Sequence, residues 1–299
     1  MSNPLPTKTV REWIEFGAAK FDAAGLWFGH GSDNAIDEAA ELVFFAAGLR
    51  HEEAESVYNQ PVASDQATRI NELFDRRVRE RVPAAYLTHR MWFAGHEFYV
   101  DERVLVPRSP IAELIEARFE PWIASERIHR VLDIGTGSGC IAIATALALP
   151  GAQVDASDIS AEALEVAKTN IARYGLEGRV NAIQSDVFDG LGAARYDVIV
   201  SNPPYVGDEE MASLPQEYIR EPPMALHSGI DGLDITRRIL RGAREHLTDG
   251  GILIVEVGNS EVALEEAYPQ APFTWLEFER GGGGVFLLMA DQLEEHFKK

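Results

Sequence analysis

The sequence has little cysteine, little positive charge and no long apolar run. Cys140 is the single cysteine among 299 residues, which excludes an internal disulfide framework and a multi-cysteine zinc site and is typical of a reducing cytoplasm. The longest apolar stretch, Cys140 to Leu149, is far shorter than the roughly 20 residues that a membrane helix requires. The opening Met1-Ser2-Asn3-Pro4 lacks the charged-then-apolar order of an export signal. We therefore expect a cytoplasmic protein without a membrane span.

Acidic residues outnumber basic ones by 48 to 27, which gives a formal net charge of -21. Such a field repels nucleic acid phosphates and attracts basic partners, so the charge favours a basic protein substrate over direct nucleic acid binding. Hydrophobic residues make up 46% of the chain, enough for a large core. The length fits one large domain and a smaller one.

Residues up to about Pro83 are predicted to form helices. Apolar residues recur at helical spacing from Val10 to Phe21 and again from Ile36 to Ala47, the second time after the capping residues Asp33 and Asn34. A third helix is expected from about Ser64, with a solvated face that carries five arginines: Arg69, Arg76, Arg77, Arg79 and Arg81. Contact of these arginines with RNA is the alternative.

The pattern then becomes extended. Phe98 to Val100 and Val104 to Val106 are predicted to pair as a hairpin around Asp101-Glu102-Arg103. Strand-like and helix-like segments alternate from Arg130 to Met289, which predicts a doubly wound, mostly parallel sheet. We therefore expect a helical domain over residues 1–90, a linking hairpin over 91–110 and an α/β domain over 111–299.

A glycine-rich turn follows the first strand of the α/β region. Val131-Leu132-Asp133-Ile134 leads into Gly135-Thr136-Gly137-Ser138-Gly139 and then an apolar helix, a pattern that lets a ligand approach a helix N-terminus closely. A dinucleotide-binding turn would have its third glycine at Cys140, so the motif argues against a nicotinamide cofactor. Cys140 itself is expected to be a small packed residue rather than a nucleophile.

Acidic residues end the next two strands. Asp158, 19 residues after Gly139, can accept hydrogen bonds from both hydroxyls of a ribose. Asp186 can accept from an adenine amino group, with Val187 or Phe188 beside the ring. Each acid alone also fits a helix cap or turn. Because ligands of open α/β sheets bind where strands end, their shared placement predicts one nucleotide site.

Asn202-Pro203-Pro204-Tyr205 directly follows the strand Val198-Ile199-Val200-Ser201. The Asn202 side-chain oxygen and the Pro203 carbonyl can each accept one hydrogen of a planar amide or amine, which turns the nitrogen lone pair toward an electrophile. The prolines hold these groups rigidly, and Tyr205 offers an aromatic face to a flat group. A proline turn that closes the strand is the alternative. The motif predicts methyl transfer to such a nitrogen.

Together these motifs resemble those of the S-adenosylmethionine-dependent glutamine N5-methyltransferases, the HemK/PrmC-related family, over nearly the whole chain. Three further segments, Trp27 to Gly31, Phe93 to Asp101 and Val255 to Ser260, are similar to its PrmB branch, which methylates a glutamine of large-subunit ribosomal protein three. Release-factor members have Pro-Arg-Pro-x-Thr-Glu where this chain reads Pro107-Arg108-Ser109-Pro110-Ile111-Ala112-Glu113.

The resemblance implies a class I, Rossmann-like methyltransferase fold with a seven-stranded sheet whose last strand is antiparallel, and a helical domain that recognises the substrate. It implies no metal, and it places S-adenosyl-L-methionine at Asp133, Gly135, Thr136, Gly137, Gly139, Asp158, Ile159, Asp186, Val187 and Asn202. It also assigns binding of the substrate glutamine and catalysis of its methylation to Asn202, Pro203, Pro204 and Tyr205. Arg108 either lines the entrance or is a buried structural arginine.

Three other functions share some of these features. A release-factor glutamine methyltransferase has the same loop, and nucleic acid amino-methyltransferases carry closely related Asn-Pro-Pro-Tyr loops. The acidity and the lack of a large insert after Tyr205 argue against the latter. A noncatalytic assembly factor would need neither the loop nor the glycine turn. Histidines are expected to be bystanders, with His96 and His227 as the ones that could border the entrance.

Overall fold

The computed structural model of the protein describes residues 8–50 and 53–297, so the expectation about Met1 to Pro4 lies outside the described residues. The chain forms two compact units. One comprises Met1–Arg90 together with Pro215–Arg220, and the other comprises Met91–Leu214 with Glu221–Lys299. Within the described ranges, no helix has the length and apolar character needed to cross a membrane.

The first unit is helical, as predicted. Its helices are α1 Val10–Ala23, α2 Ala35–Ala47, α3 Ala54–Val57, α4 Ser64–Glu80 and α5 Ala84–Thr88. Thr9 and Glu12 form a reciprocal capping box at the start of α1, and the Asn34 side chain caps α2. The apolar faces of these helices meet in one core around the fully buried Phe21 and Phe74.

The predicted arginine face differs from the prediction most at Arg77, and in part at Arg81, whose side chain is 26% exposed and pairs with Glu217. Arg77 is fully buried, and its Nε lies 2.5 Å from Glu38 Oε1 of α2. Its Nη2 also donates to the Trp27 carbonyl at 2.8 Å. The expectation of a wholly solvated face was therefore wrong for Arg77, because charge alone does not reveal that an acid faces it across the helix pair.

The hairpin lies earlier than predicted. Its strands are β1 Met91–Phe93 and β2 His96–Phe98, with Ala94 and Gly95 in the turn. Val104 to Val106 has no strand structure, and Asp101 instead accepts hydrogen bonds from the Arg103 backbone and side chain. The prediction followed the apolar residues, but Gly95 supplies the positive φ of 77° that the turn requires.

The second unit contains a seven-stranded sheet, which confirms the predicted fold class. Its strands are β3 Arg130–Ile134, β4 Gln153–Asp158, β5 Val180–Gln184, β6 Tyr196–Ser201, β7 Leu247–Glu256, β8 Thr274–Trp275 and β9 Val285–Met289. They lie in the order β5-β4-β3-β6-β7-β9-β8. β9, the last strand along the chain, is antiparallel to both of its neighbours, as the resemblance implied.

Helices cover both faces of this sheet. They are α6 Ile111–Glu116, α7 Cys140–Ala148, α8 Ala161–Arg173, α9 Asp208–Met211, α10 Asp234–His246, α11 Glu261–Ala267 and α12 Ala290–His296. Successive residues of a strand point to opposite faces, so Val198 and Val200 belong to one core and Ile199 to the other. Because β6 and its neighbours are buried on both faces, their polar chemistry is confined to their ends.

Candidate active site

The three glycines of the turn after β3 have different roles. Gly135, Gly137 and Gly139 all have positive φ, of 72°, 54° and 80°. A Cβ at Gly139 would meet Ala167 of α8 at 3.3 Å, whereas a Cβ at Gly137 would meet no heavy atom within 4 Å. Gly139 therefore allows close helix packing, and Gly137 leaves open space beside the turn.

Asp133 supports this turn from below. It is fully buried, and its Oδ2 accepts hydrogen bonds from Thr136 Oγ1 at 2.5 Å and from the Ala142 backbone N–H at 3.2 Å. Its Oδ1 has no hydrogen-bond partner among the residues described. Burial raises the pKa of this carboxyl to about 7. Asp133 thus fixes the turn and leaves one acceptor oxygen unused.

Asp158, at the end of β4, connects the second strand to the same turn. Its Oδ2 accepts from the Gly137 N–H and its Oδ1 from the Ser160 N–H, both at 2.9 Å. Burial raises the pKa of Asp158. A carboxylate has about four acceptor positions, so these two bonds leave capacity for a ligand hydroxyl.

The segment after β5 carries an ion pair and an unusual backbone. Asp186 Oδ1 lies 2.8 Å from Arg238 Nη1 of α10, a partner that nothing in the local sequence indicates. Val187 has φ of 54°, a left-handed conformation that is rare for a β-branched residue. The Ser185 hydroxyl holds it there by donating to the Val187 carbonyl at 2.9 Å. Strained residues of this kind cluster at ligand sites.

The Asn-Pro-Pro segment meets the glycine turn at the ends of the two central strands. The Ser201 hydroxyl donates to the Ile134 carbonyl at 2.8 Å and ties the end of β6 to that of β3. A Cβ at Gly135 would lie 3.9 Å from the Asn202 carbonyl oxygen. The two motifs, separated by more than sixty residues in the chain, are therefore adjacent.

A cavity of about 670 Å³ lies over this edge of the sheet. It is lined by most of the residues predicted for the site: Gly135, Thr136, Gly137, Asp158, Ile159, Asp186, Val187, Asn202, Pro203 and Pro204. Its lining, as described, does not include Asp133, which lies beneath the turn, Gly139, which packs against α8, or Tyr205. Its size is within the range of pockets that hold nucleotide-sized ligands.

The remaining wall of the cavity contains two residues that were expected at the entrance, Arg108 and His227, and was otherwise missed from the sequence. It is formed by Arg103, Val104, Leu105, Pro107, Arg108, Ser109, Met211, Pro222, Pro223, Met224, Ala225, His227, Ile235 and Arg238, together with residues beside the glycine turn. Arg108 both lines the cavity and pairs with Glu221, whose Oε2 lies 2.6 Å from Arg108 Nη2. The Val106 N–H also donates to Glu221 Oε1 at 3.0 Å. Glu221 therefore joins the segment before α6 to the one that follows α9.

Three other residues named from the sequence, Cys140, His227 and Phe188, can be compared with the structure. Cys140 is buried, and burial raises the pKa of its thiol to about 12, which is consistent with a packing role. His227 lines the cavity, and its Nε2 lies 2.6 Å from Asp208 Oδ1. Phe188 stacks on the His246 ring at 4.6 Å rather than lining the cavity, so Val187 alone borders it.

A doubly wound sheet of this order, with a glycine turn, two strand-end acids and an Asn-Pro-Pro-Tyr loop at one cavity, defines a class I methyltransferase. The methyltransferase small domain model matches residues 120–230. The ribosomal protein uL3 glutamine methyltransferases of Neisseria gonorrhoeae (strain ATCC 700825 / FA 1090) and Neisseria meningitidis serogroup A / serotype 4A (strain DSM 15465 / Z2491) are each 48% identical over 286 residues. These alignments cover 95% of this chain and 95% and 94% of the two relatives. The chain belongs to the ribosomal protein uL3 glutamine methyltransferase family.

The fold is also similar to that of the hMettl16 catalytic domain, solved in complex with the MAT2A 3'UTR hairpin 6. The TM-score is 0.50 at 19% identity, over 75% of this chain and 80% of that one. At this identity the likeness concerns the fold alone.

Proposed function

We propose that the enzyme transfers a methyl group from S-adenosyl-L-methionine to the side-chain amide nitrogen of a glutamine in ribosomal protein uL3. The observation that carries the proposal is the adjacency of Asn202 to the glycine turn at one cavity, in a chain of this family. The substrate amide that receives the methyl group and the nucleotide-containing cofactor that supplies it can then meet at a single edge of the sheet.

The described residues fit the cofactor. Gly137 leaves space for close approach of a ligand, and Asp158 has free acceptor capacity for ribose hydroxyls. Asp186 and Val187 would lie at the adenine, where Arg238 fixes the Asp186 carboxylate. When bound, S-adenosyl-L-methionine supplies an electrophilic methyl group on a sulfonium sulfur. The protein contributes position and polarity rather than a reactive group of its own.

Asn202 and Pro203 would prepare the glutamine. An amide nitrogen is a poor nucleophile because its lone pair is delocalised into the carbonyl. Acceptance of its two hydrogens by Asn202 Oδ1 and the Pro203 carbonyl orients the amide and stabilises the positive charge that develops on it. The fixed φ of Pro203 and Pro204 keeps these acceptors in place, so that little reorganisation accompanies the reaction.

The proposal requires no strong base. The methylated amide cation is acidic enough to lose its proton to water, so positioning and charge stabilisation dominate over general-base catalysis. The histidine best placed to act as a base would be His227, because it lines the cavity. Its Nε2 interacts instead with Asp208. We expect the reaction to proceed without a metal.

The choice of uL3 is supported by the activity for which the Neisseria relatives are named and by the net charge of -21, which complements a basic ribosomal protein. The helical unit is the proposed recognition element, since Trp27 and Ile219 of that unit are 49% and 77% exposed. A Trp27→Ala variant whose KM for uL3 equals that of the wild type would count against this assignment. We propose a cytoplasmic enzyme because its substrate is a ribosomal protein, and the net charge of -21 favours that protein substrate over direct nucleic acid binding.

The test is transfer of labelled methyl groups to purified uL3, to a release factor and to protein-free ribosomal RNA in parallel. Asn202→Ala is expected to lower kcat by about 10²–10³, as loss of an oxyanion-hole group does in other enzymes, with a much smaller change in cofactor affinity. Asn71→Ala, on the exposed face of α4, is the matched control. Label in the release factor or RNA but not in uL3 would refute the assigned substrate, and turnover of Asn202→Ala within a few-fold of wild type would refute the assigned role.

A further inference from the structure

Glu256 is a buried acid that the proposed methyl transfer does not use. It ends β7, the strand beside β6, and is 4% exposed. Its Oε2 accepts a hydrogen bond from Ser109 Oγ at 2.6 Å, and its Oε1 accepts one from the Tyr205 hydroxyl at 3.2 Å. The acid thus connects the cavity wall at Ser109 to the last residue of the Asn-Pro-Pro-Tyr loop.

The residues that follow Glu256 contact the same tyrosine in two other places. A Cβ at Gly258 would lie 2.6 Å from Tyr205 Cε2, so only glycine leaves room for the ring at that position. Ser260 Oγ lies 2.8 Å from the Tyr205 carbonyl oxygen and donates to it. One five-residue segment therefore contacts the hydroxyl, the ring and the backbone of Tyr205.

We propose that Glu256, Gly258 and Ser260 form a Tyr205 cradle, which positions the aromatic ring against which the substrate amide lies. The inference rests on the proposed function and on the sequence-based expectation that Tyr205 offers its aromatic face to the substrate amide. A tyrosine side chain turns about two bonds, so a contact at the ring and another at the hydroxyl are enough to fix its plane. Reaction rates fall steeply when a group that positions the substrate is displaced by about 1 Å, so a ring held in one orientation favours turnover.

The hydrogen bond from Ser109 to Glu256 depends on a residue at which this chain differs from the release-factor motif. Ser109 stands after Pro107-Arg108, where the release-factor motif has a proline, and proline has no side-chain hydrogen to donate to Glu256. Ser109 Oγ also accepts from the Ile111 N–H at 3.2 Å, at the start of α6. Ser109 therefore ties Glu256 to the first turn of a helix and holds the carboxylate at the oxygen that does not bond Tyr205.

The test is a double-mutant cycle of Glu256→Met and Tyr205→Phe, with kcat measured for methyl transfer to uL3. Methionine keeps the side-chain volume but removes the acceptor, and each single variant is expected to lower kcat on the order of tenfold, as loss of a hydrogen bond to a charged group does. Because Glu256→Met already removes the bond that Tyr205→Phe removes, the double variant should lose no more than Glu256→Met alone. Glu256→Gln retains an acceptor and should keep kcat within about threefold of wild type.

Two glycine variants test the ring contact separately. Gly258→Ala should lower kcat at least as far as Tyr205→Phe, because the new methyl group overlaps the ring. Gly175→Ala is the control, since Gly175 also has a positive φ, of 63°, and a Cβ there meets no heavy atom within 4 Å. Affinity for the product cofactor, measured by calorimetry, should stay within about twofold in every variant, because the cradle residues do not line the cavity.

Losses that multiply in the double variant, or a normal kcat in Gly258→Ala, would overturn the cradle. If Glu256→Met does not fold, the Gly258→Ala and Tyr205→Phe results decide, because neither removes the buried acid. Failure of the cradle can be told apart from failure of the proposed function. A wild type that fails to methylate uL3 refutes the function, whereas an active wild type, an inactive Asn202→Ala and a multiplicative cycle refute the cradle alone.

Discussion

Replacement of Glu256 by glutamine is expected to stabilise the protein at alkaline pH. Burial raises the pKa of this carboxyl from its ordinary value of 4.5 to about 7, although Ser109, Tyr205 and the charge of Arg108 all favour the ionised form. A folded-state pKa above the unfolded one means that the folded state binds the proton more tightly. Stability is therefore lost as the pH rises from 4.5 to about 7, and the loss is complete above that range.

The size of the effect follows from the shift. At about 1.4 kcal/mol per pKa unit, ionising Glu256 costs roughly 3 kcal/mol of unfolding free energy at about pH 8 and roughly 1 kcal/mol at about pH 5. Glutamine has nearly the same shape as the protonated acid and stays neutral at both pH values. The gain in stability from Glu256→Gln should thus be largest at alkaline pH and nearly vanish near about pH 4.

The assay is chemical denaturation of both proteins at several pH values, followed by circular dichroism through the transition of the second unit. Glu266→Gln, an exposed change on α11, is the control and should show less than about 0.5 kcal/mol at every pH. A Glu256→Gln variant that is less stable than wild type at alkaline pH, or whose advantage does not change with pH, would refute the reasoning.

Two further predictions concern other charged residues. Asp158→Ala should weaken binding of the product cofactor by about 10–100-fold in calorimetry, because it removes charge-assisted hydrogen bonds. The exposed control Asp22→Ala should leave the affinity unchanged. An unchanged affinity in Asp158→Ala would remove Asp158 from the site. Arg77→Ala should destabilise the helical unit by about 3–5 kcal/mol in urea unfolding because it leaves Glu38 buried without its partner. Arg79→Ala, whose side chain is 77% exposed, should cost less than about 1 kcal/mol, and equal effects of the two changes would contradict the buried pair.

The sequence predicted the positions of the strand-end residues because parallel strands impose a simple geometry. Asp133, Asp158, Asp186 and Asn202 each sit at or just after the C-terminal end of a strand, and all such ends meet at one edge of the sheet. Local pattern was enough to bring these residues together without knowledge of any contact. The helices of the first unit were equally accessible, because apolar spacing and caps are local signals.

One error arose where a residue's role depends on a partner distant in the chain, and the other arose where two local patterns competed. Arg77 lies in an arginine-rich stretch that is typical of an exposed helical face. Only the packing of α2 against α4 brings Glu38, 39 residues away in the chain, into contact with it. The hairpin was placed too late because two apolar runs around Asp101 looked like strands. The folded chain uses that aspartate to bind Arg103 and turns instead at Gly95.

By itself, the sequence determined the order of strands and helices, the glycine turn and the loop that would hold an amide, since each is encoded within a few consecutive residues. Tertiary structure alone decided what supports them. Glu256 reaches Tyr205 across 51 residues and Glu221 reaches Arg108 across 113, through contacts that exist only once neighbouring strands and their loops are in place. Side-chain partners at such separations leave no periodic signal in the chain, because they are selected by shape and charge in three dimensions.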